Sequence, residues 1–204
     1  MLARQRIAVL VSGGGTNLQK LMDAQSDGLL PDGEIVLVIS NRKAAYALTR
    51  ARERGIPTVV LSKAMEPDRD RYDEKLLAIL TENRIDVIAL AGFLGIVGKR
   101  VLSAYPDRIV NIHPALIPSF CGMGYYGLAV HEAALKRGVK LTGATAHLVT
   151  DDVDGGPILL QKAVEVLPGD TPEVLQLRVM EQAEWVIFPQ AVEMVCRKCR
   201  FEEA

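Results

Sequence analysis

Along this chain, short runs of consecutive apolar residues alternate with segments in which apolar positions recur every three or four residues. The first run, Ile7-Ala-Val-Leu-Val11, has no polar alternation, the pattern of a strand covered on both faces in a parallel sheet. It stops at glycines, after which Thr16 or Asn17 predicts a capped helix through about Gln25. Ile35 to Ile39 predicts a second strand and residues 44–54 a second helix, which Gly55 ends. Pro57 to Leu61 reads as a third strand. Asp68 to Thr81 reads as a helix with Tyr72, Leu76, Leu77 and Leu80 inward. Strands at Asp86–Leu90 and Arg108–Ile112 follow, then a helix near 126–137. Strands near 141–149 and 157–166 and a long helix from Thr171 complete the pattern. Repeated strand–helix–strand units predict an α/β fold: a Rossmann-like, mostly parallel central sheet with helices on both faces. Two successive strands in the last third predict one antiparallel neighbour. No repeat or Gly/Pro/Ser-rich linker divides the chain, so one domain over 1–204 is expected.

In such sheets ligands bind beyond the carboxyl ends of the strands, which selects residues 12–17, 91–97, 111–122 and 150–156. Ser12-Gly-Gly-Gly-Thr-Asn17 offers backbone N–H groups at a helix start, suited to a small anion, or is simply a tight turn. A dinucleotide is disfavoured, because Leu18 stands at the third glycine of G-x-G-x-x-G and the second strand ends in Ser40-Asn41-Arg42 without a carboxylate. Ala91-Gly-Phe-Leu-Gly-Ile-Val97 is a buried turn or an apolar slot for a flat heterocycle. Asn111 and His113 lie two apart at a strand end and so share a face. Asn is a neutral donor for a developing oxyanion and His titrates near neutrality. Ser119–Gly127 then reads as a mobile flap, while His131 and His147 read as structural. Thr150-Asp-Asp-Val-Asp-Gly-Gly-Pro157 is a solvated turn, a weak cation loop, or the source of a carboxylate that raises the pKa of His113.

Composition narrows the classes. With 24 Lys and Arg against 25 Asp and Glu, net charge is −1, and aromatics make up 5 %. Neither a basic nucleic-acid footprint nor a stacking surface for single strands fits. The longest apolar run, Val87 to Val97, is about half of what a membrane span needs. The start has no signal-peptide pattern, and the three cysteines cannot all pair, so a reducing cytoplasm is expected. Cys196-Arg-Lys-Cys199 lacks the second pair of a structural zinc site and reads as reduced surface thiols.

Taken together, SGGGTNLQKLMDA, SNRKAAYALTRARERGIP, LAGFLGIV, NIHPALIPSF, ATAHLVTDDVDGGPILLQ and the C-terminal helix resemble one family along nearly the whole chain. It is the folate-dependent phosphoribosylglycinamide formyltransferases (GAR transformylases) of purine biosynthesis. The resemblance implies a phosphate-binding half, about 1–100, and a folate-binding and catalytic half, about 101–204. It implies 10-formyltetrahydrofolate as co-substrate, glycinamide ribonucleotide as acceptor, and no metal, nucleic acid or membrane. Asn111 and His113 match the oxyanion-stabilising pair, and Asp154 the carboxylate that raises the histidine pKa and relays the amine proton. Gly15, Thr16 and Asn17 match the phosphate cradle and Glu184 the ribose-binding carboxylate. Arg69, Leu94, Gly95, Ile96, Val97 and Asn111, with Thr150, Asp151, Asp152, Val153 and Asp154, match the folate contacts. Three departures stand out. Gly95 occupies a place where relatives often carry Arg; Ser119-Phe-Cys-Gly122 replaces a proline-bearing segment; and Arg178–Glu184 is one residue longer than in some relatives. A tRNA-formylating relative fits neither the length nor the charge, and a deformylase would carry an added N-terminal domain. A non-catalytic phospholigand-binding protein remains the alternative if Asn111, His113 and Asp154 do not converge. The sequence sets no oligomeric state.

Overall fold

The structure, a computed structural model, describes residues 3–202, so the first two and last two residues of the expected 1–204 domain lie outside the described residues. The chain forms two compact units, one running to Val110 and resuming at Val192, the other spanning Asn111–Ala191.

In the first unit, β1 (Gln5–Val11) pairs in parallel with β2 (Gly33–Ser40) on one side and β4 (Val87–Leu90) on the other. β3 (Thr58–Val60) extends β2, also in parallel. Ile7 to Val11 are wholly buried, which is why that run is continuously apolar. The helices are α1 (Thr16–Ser26), α2 (Tyr46–Glu53), α3 (Arg69–Glu82) and α4 (Lys99–Ala104). Asp68 caps α3, its carboxylate accepting from the Arg71 N–H. α4 has no sequence signal of its own. Its start is fixed by Asp73, a buried residue of α3 whose carboxylate accepts from the Gly98 N–H at 3.0 Å and the Arg100 N–H at 2.8 Å. A Cβ at Gly98 would lie 2.3 Å from the Asp73 carboxyl carbon, so the cap demands glycine there.

β5 (Ile109–His113) begins in this unit and ends in the next. The second unit continues with α5 (Leu128–Arg137), the antiparallel pair β6 (Leu141–Leu148) and β7 (Ile158–Glu165), and α6 (Pro172–Val179). A π-helical turn, Met180–Glu184, then leads into α7 (Trp185–Glu202). The strand order is β3-β2-β1-β4-β5-β6-β7. The fold is therefore α/β, Rossmann-like and mostly parallel, with the expected antiparallel neighbour at β7.

Two expectations need correction. The long helix from Thr171 is not continuous: the π turn widens it at 180–184, where a helix absorbs one extra residue. The turn lies within Arg178–Glu184, the stretch that the resemblance leads us to expect to be one residue longer. Nor are the two C-terminal cysteines surface thiols. Cys196 and Cys199 are buried, and Cys196 faces Gly33, where an added Cβ would come within 2.9 Å of its sulfur.

Candidate active site

β5 delivers Asn111 and His113 on one face at its carboxyl end. The chain then leaves the strand through Pro114–Pro118, pinned by Thr145 of β6 and Gln161 of β7. The Thr145 hydroxyl donates to the Ala115 carbonyl at 2.7 Å and accepts from the Ile117 N–H at 3.1 Å. Gln161 Nε2 donates to the Ile117 carbonyl and to Thr145 Oγ1, each at 3.0 Å.

Asp154 follows β6 in the exposed turn Thr150–Asp-Asp-Val153 and adopts a left-handed backbone, φ 57°, which Asp tolerates better than most residues. Its carboxylate meets both predicted partners. Oδ2 lies 3.5 Å from His113 Nδ1 and accepts from the Gly122 N–H at 2.9 Å. Oδ1 lies 3.5 Å from Asn111 Nδ2 and 3.6 Å from His147 Nε2. Asn111, His113 and Asp154 thus form one cluster within the second unit.

His147 belongs to this cluster, contrary to the structural role read from sequence. Its Nδ1–H donates to the Leu148 carbonyl at 2.8 Å, so in the neutral ring Nε2 is the acceptor. Asn111 Nδ2 donates to that nitrogen at 3.1 Å. The bond fixes which end of the Asn111 amide faces Asp154. His147 was missed because every residue of β6 after Leu141 is buried, so alternation marks no face. The usable signal was its position at a strand's carboxyl end, the criterion that selected Asn111.

Electrostatically the carboxylate and the ring move in one direction. Burial pushes the Asp154 carboxyl up, but the His147 ring, the Gly122 N–H and the His113 ring together hold it below its usual value, as an anion at neutral pH. Burial lowers the pKa of His113. Asp154 and the Phe120 carbonyl pull upward, the sign expected for Asp154, yet burial outweighs them. The neutral ring donates Nε2–H to the Phe120 carbonyl at 2.8 Å. His131, on α5, is buried with neither ring nitrogen hydrogen-bonded among the described residues, and burial followed by the charge of His113 lowers its pKa to about 4. Donors from an amide and an imidazole beside an ionised carboxylate suit a reaction that develops an oxyanion and releases a proton. Among the described residues no group of three or more His, Cys, Asp or Glu is arranged to hold a metal ion.

The remaining predicted residues divide between the units. In the first, Gly15 caps α1, Thr16 opens it, and Asn17 is buried in its first turn. The Ser12 hydroxyl accepts from the Leu94 N–H at 2.8 Å, tying the glycine loop to the 91–97 segment. Leu94 and Ile96 are exposed, Val97 is buried, and Arg69 is exposed at the start of α3. At Gly95 an added Cβ would stand 2.6 Å from the Phe93 ring, so a side chain at this position must displace Phe93. In the second unit, Glu184 is buried at the end of the π turn.

A family model described as formyl transferase matches residues 5–192. The chain belongs to the formyl transferase family. A chloroplastic phosphoribosylglycinamide formyltransferase of Arabidopsis thaliana is 40 % identical over 96 % of this chain and 66 % of its own length. The trifunctional purine biosynthetic protein adenosine-3 of Homo sapiens is 41 % identical over 94 % of this chain, which spans only 18 % of that protein. A crystal structure of glycinamide ribonucleotide transformylase 1 from Symbiobacterium toebii superposes with a TM-score of 0.89 at 41 % identity, covering 96 % of this chain and 89 % of the other. The chain thus spans less than two thirds of the first two of these relatives. Among the described residues no helix is long and apolar enough to cross a membrane.

Proposed function

We propose that this formyl transferase moves the formyl group of 10-formyltetrahydrofolate onto the amine of glycinamide ribonucleotide in purine biosynthesis. The observation that carries the reading is the convergence of Asn111, His113 and Asp154, from two strand ends, on one anionic carboxylate flanked by N–H donors. The folate co-substrate supplies an electrophilic formyl carbon. The acceptor amine attacks it, and the carbonyl oxygen becomes an oxyanion. The Asn111 Nδ2–H stabilises that oxyanion, and the neutral His113 ring contributes its one N–H, at Nε2, when that hydrogen turns from the Phe120 carbonyl to the oxyanion. Such a donor is worth about 3 kcal/mol in the transition state. Asp154 accepts the proton released by the amine, directly or through water, and the proton passes to the departing folate nitrogen as the old carbon–nitrogen bond breaks. His147 holds the Asn111 amide in place.

The glycine loop with Gly15, Thr16 and Asn17 takes the substrate phosphate, and Glu184 the ribose hydroxyls. Leu94 to Val97, Arg69, Asn111 and the Thr150–Asp154 turn take the folate. The chain works as a single formyltransferase domain in the cytoplasm, on small molecules rather than nucleic acid. The test supplies 10-formyltetrahydrofolate with glycinamide ribonucleotide, or with no acceptor. Formylated ribonucleotide forming only when both are present is the expected result. Release of formate at the same rate without the acceptor would overturn the reading in favour of a hydrolase.

A further inference from the structure

The glycine loop owes its orientation to α2. The Ala47 N–H donates to the Gly13 carbonyl at 3.1 Å, and Arg50 Nε–H donates to the Gly14 carbonyl at 2.8 Å. In a trans peptide the N–H in the same plane as a carbonyl points the opposite way. Turning these two carbonyls toward α2 therefore turns the N–H groups of Gly14 and Gly15 away from it. They join the first N–H groups of α1, which have no partner within the helix. Gly15 is obligatory on the α2 side: φ is 74°, and a Cβ would stand 2.6 Å from that of Ala47. On Gly13 and Gly14, by contrast, an added Cβ would meet no atom within 4 Å. The protein's own packing does not require glycine at either place; a ligand approaching the backbone would.

Arg50 is itself held firmly. Nη1 donates to Gln19 Oε1 at 3.2 Å, and the guanidinium lies 5.0 Å from the centre of the Tyr46 ring. Among the described residues its partners are a carbonyl, an amide oxygen and an aromatic ring, none of which neutralises its charge. We propose that Arg50 is a positioning residue for the phosphate end of the acceptor. It fixes the Gly14 carbonyl so that the loop N–H groups stay turned to the phosphate, and it leaves a positive charge behind them. This rests on the reading of the loop as a phosphate cradle.

Steady-state kinetics of Arg50→Met and Arg50→Lys test it. Arg50→Met keeps the apolar stem and loses charge and donors; it should raise KM for glycinamide ribonucleotide by about tenfold to a hundredfold. KM for the folate and kcat should stay within about twofold. Arg50→Lys, which keeps charge and one donor, should recover part of the loss. An unchanged ribonucleotide KM in Arg50→Met overturns the proposal, and so does a parallel loss in both KM values and kcat, the mark of a merely structural role. Glycinamide riboside, the acceptor without its phosphate, separates the two levels. If the unmodified protein uses riboside and ribonucleotide equally well, the cradle reading falls and the proposal with it. If it prefers the ribonucleotide and Arg50→Met prefers it as strongly, only the role of Arg50 falls.

Discussion

In the proposed mechanism the chemistry turns on Asp154, because every other polar group of the cluster touches its carboxylate. Asp154→Asn keeps the shape and the ability to accept from the Gly122 N–H but cannot take a proton from an amine. Turnover should fall by about a thousandfold, the range for losing a general base, with the circular dichroism spectrum unchanged. Full activity in that variant would remove Asp154 from proton transfer. The trio was legible in sequence because each member sits at a strand's carboxyl end, but their distances were not, since residues 111 and 154 meet only through the order of β5 and β6. Nor was the burial that lowers His113, which depends on neighbours remote in sequence. The same burial makes His131 a pH-dependent element of stability. Its folded pKa of about 4 lies below the ordinary histidine value of 6.5, so in that window the unfolded chain binds the proton and the folded one does not. Stability is therefore complete above about pH 6.5 and falls as pH drops toward about 4. His113, also lowered, adds to the same slope. His131→Leu removes one titrating group and two unpaired buried nitrogens. Its urea midpoint should change less between pH 7 and pH 5 than the unmodified protein's, and an identical slope would exclude His131 as a contributor.

At the level of elements, the inner strands were readable because burial on both faces leaves unbroken apolar runs, and the helices chiefly from periodicity. Of α1 to α6 a side-chain cap marks only α3, through Asp68, and α6, through Thr171, while α1 starts from Gly15 rather than from the expected Thr16 or Asn17 cap. α4 was not readable, since its signal lies on another helix: Asp73 is a charged residue in the middle of α3, and nothing local marks it as a cap. Replacing it tests that account. Asp73→Ala strips the Gly98 and Arg100 N–H groups of their acceptor and should cost about 1–2 kcal/mol in urea unfolding. Asp73→Asn, which can still accept one bond, should cost less. Equal stability of Asp73→Ala and the unmodified protein would mean that α4 starts without its cap. The π turn was hidden for a different reason. Helical periodicity in sequence assumes a fixed rotation per residue, and one wide turn at Met180–Glu184 changes the phase of all that follows. Glu184, the last residue of that turn, is buried.

For the molecule as a whole, charge bears on how the proposed acceptor would be captured. Positive and negative side chains almost cancel, with 24 against 25, so no broad basic field draws an anion toward the protein. On the proposed reading, capture of a phosphate then depends on contacts made at the loop, where the Gly14 and Gly15 N–H groups and the Arg50 guanidinium act over a few ångströms. Salt screens charges beyond about 10 Å at 0.1 M but affects hydrogen bonds at contact distance far less. A surface that binds its ligand through many distributed Lys and Arg side chains loses affinity steeply as salt rises. Here kcat/KM for glycinamide ribonucleotide should change by no more than about threefold between about 0.05 and 0.3 M KCl, in line with one local charge. Arg50→Met should flatten even that dependence. A fall of tenfold or more in the unmodified protein would mean that basic residues beyond the loop take part. The phosphate would then be recognised by a surface rather than by the backbone geometry that α2 imposes on three glycines.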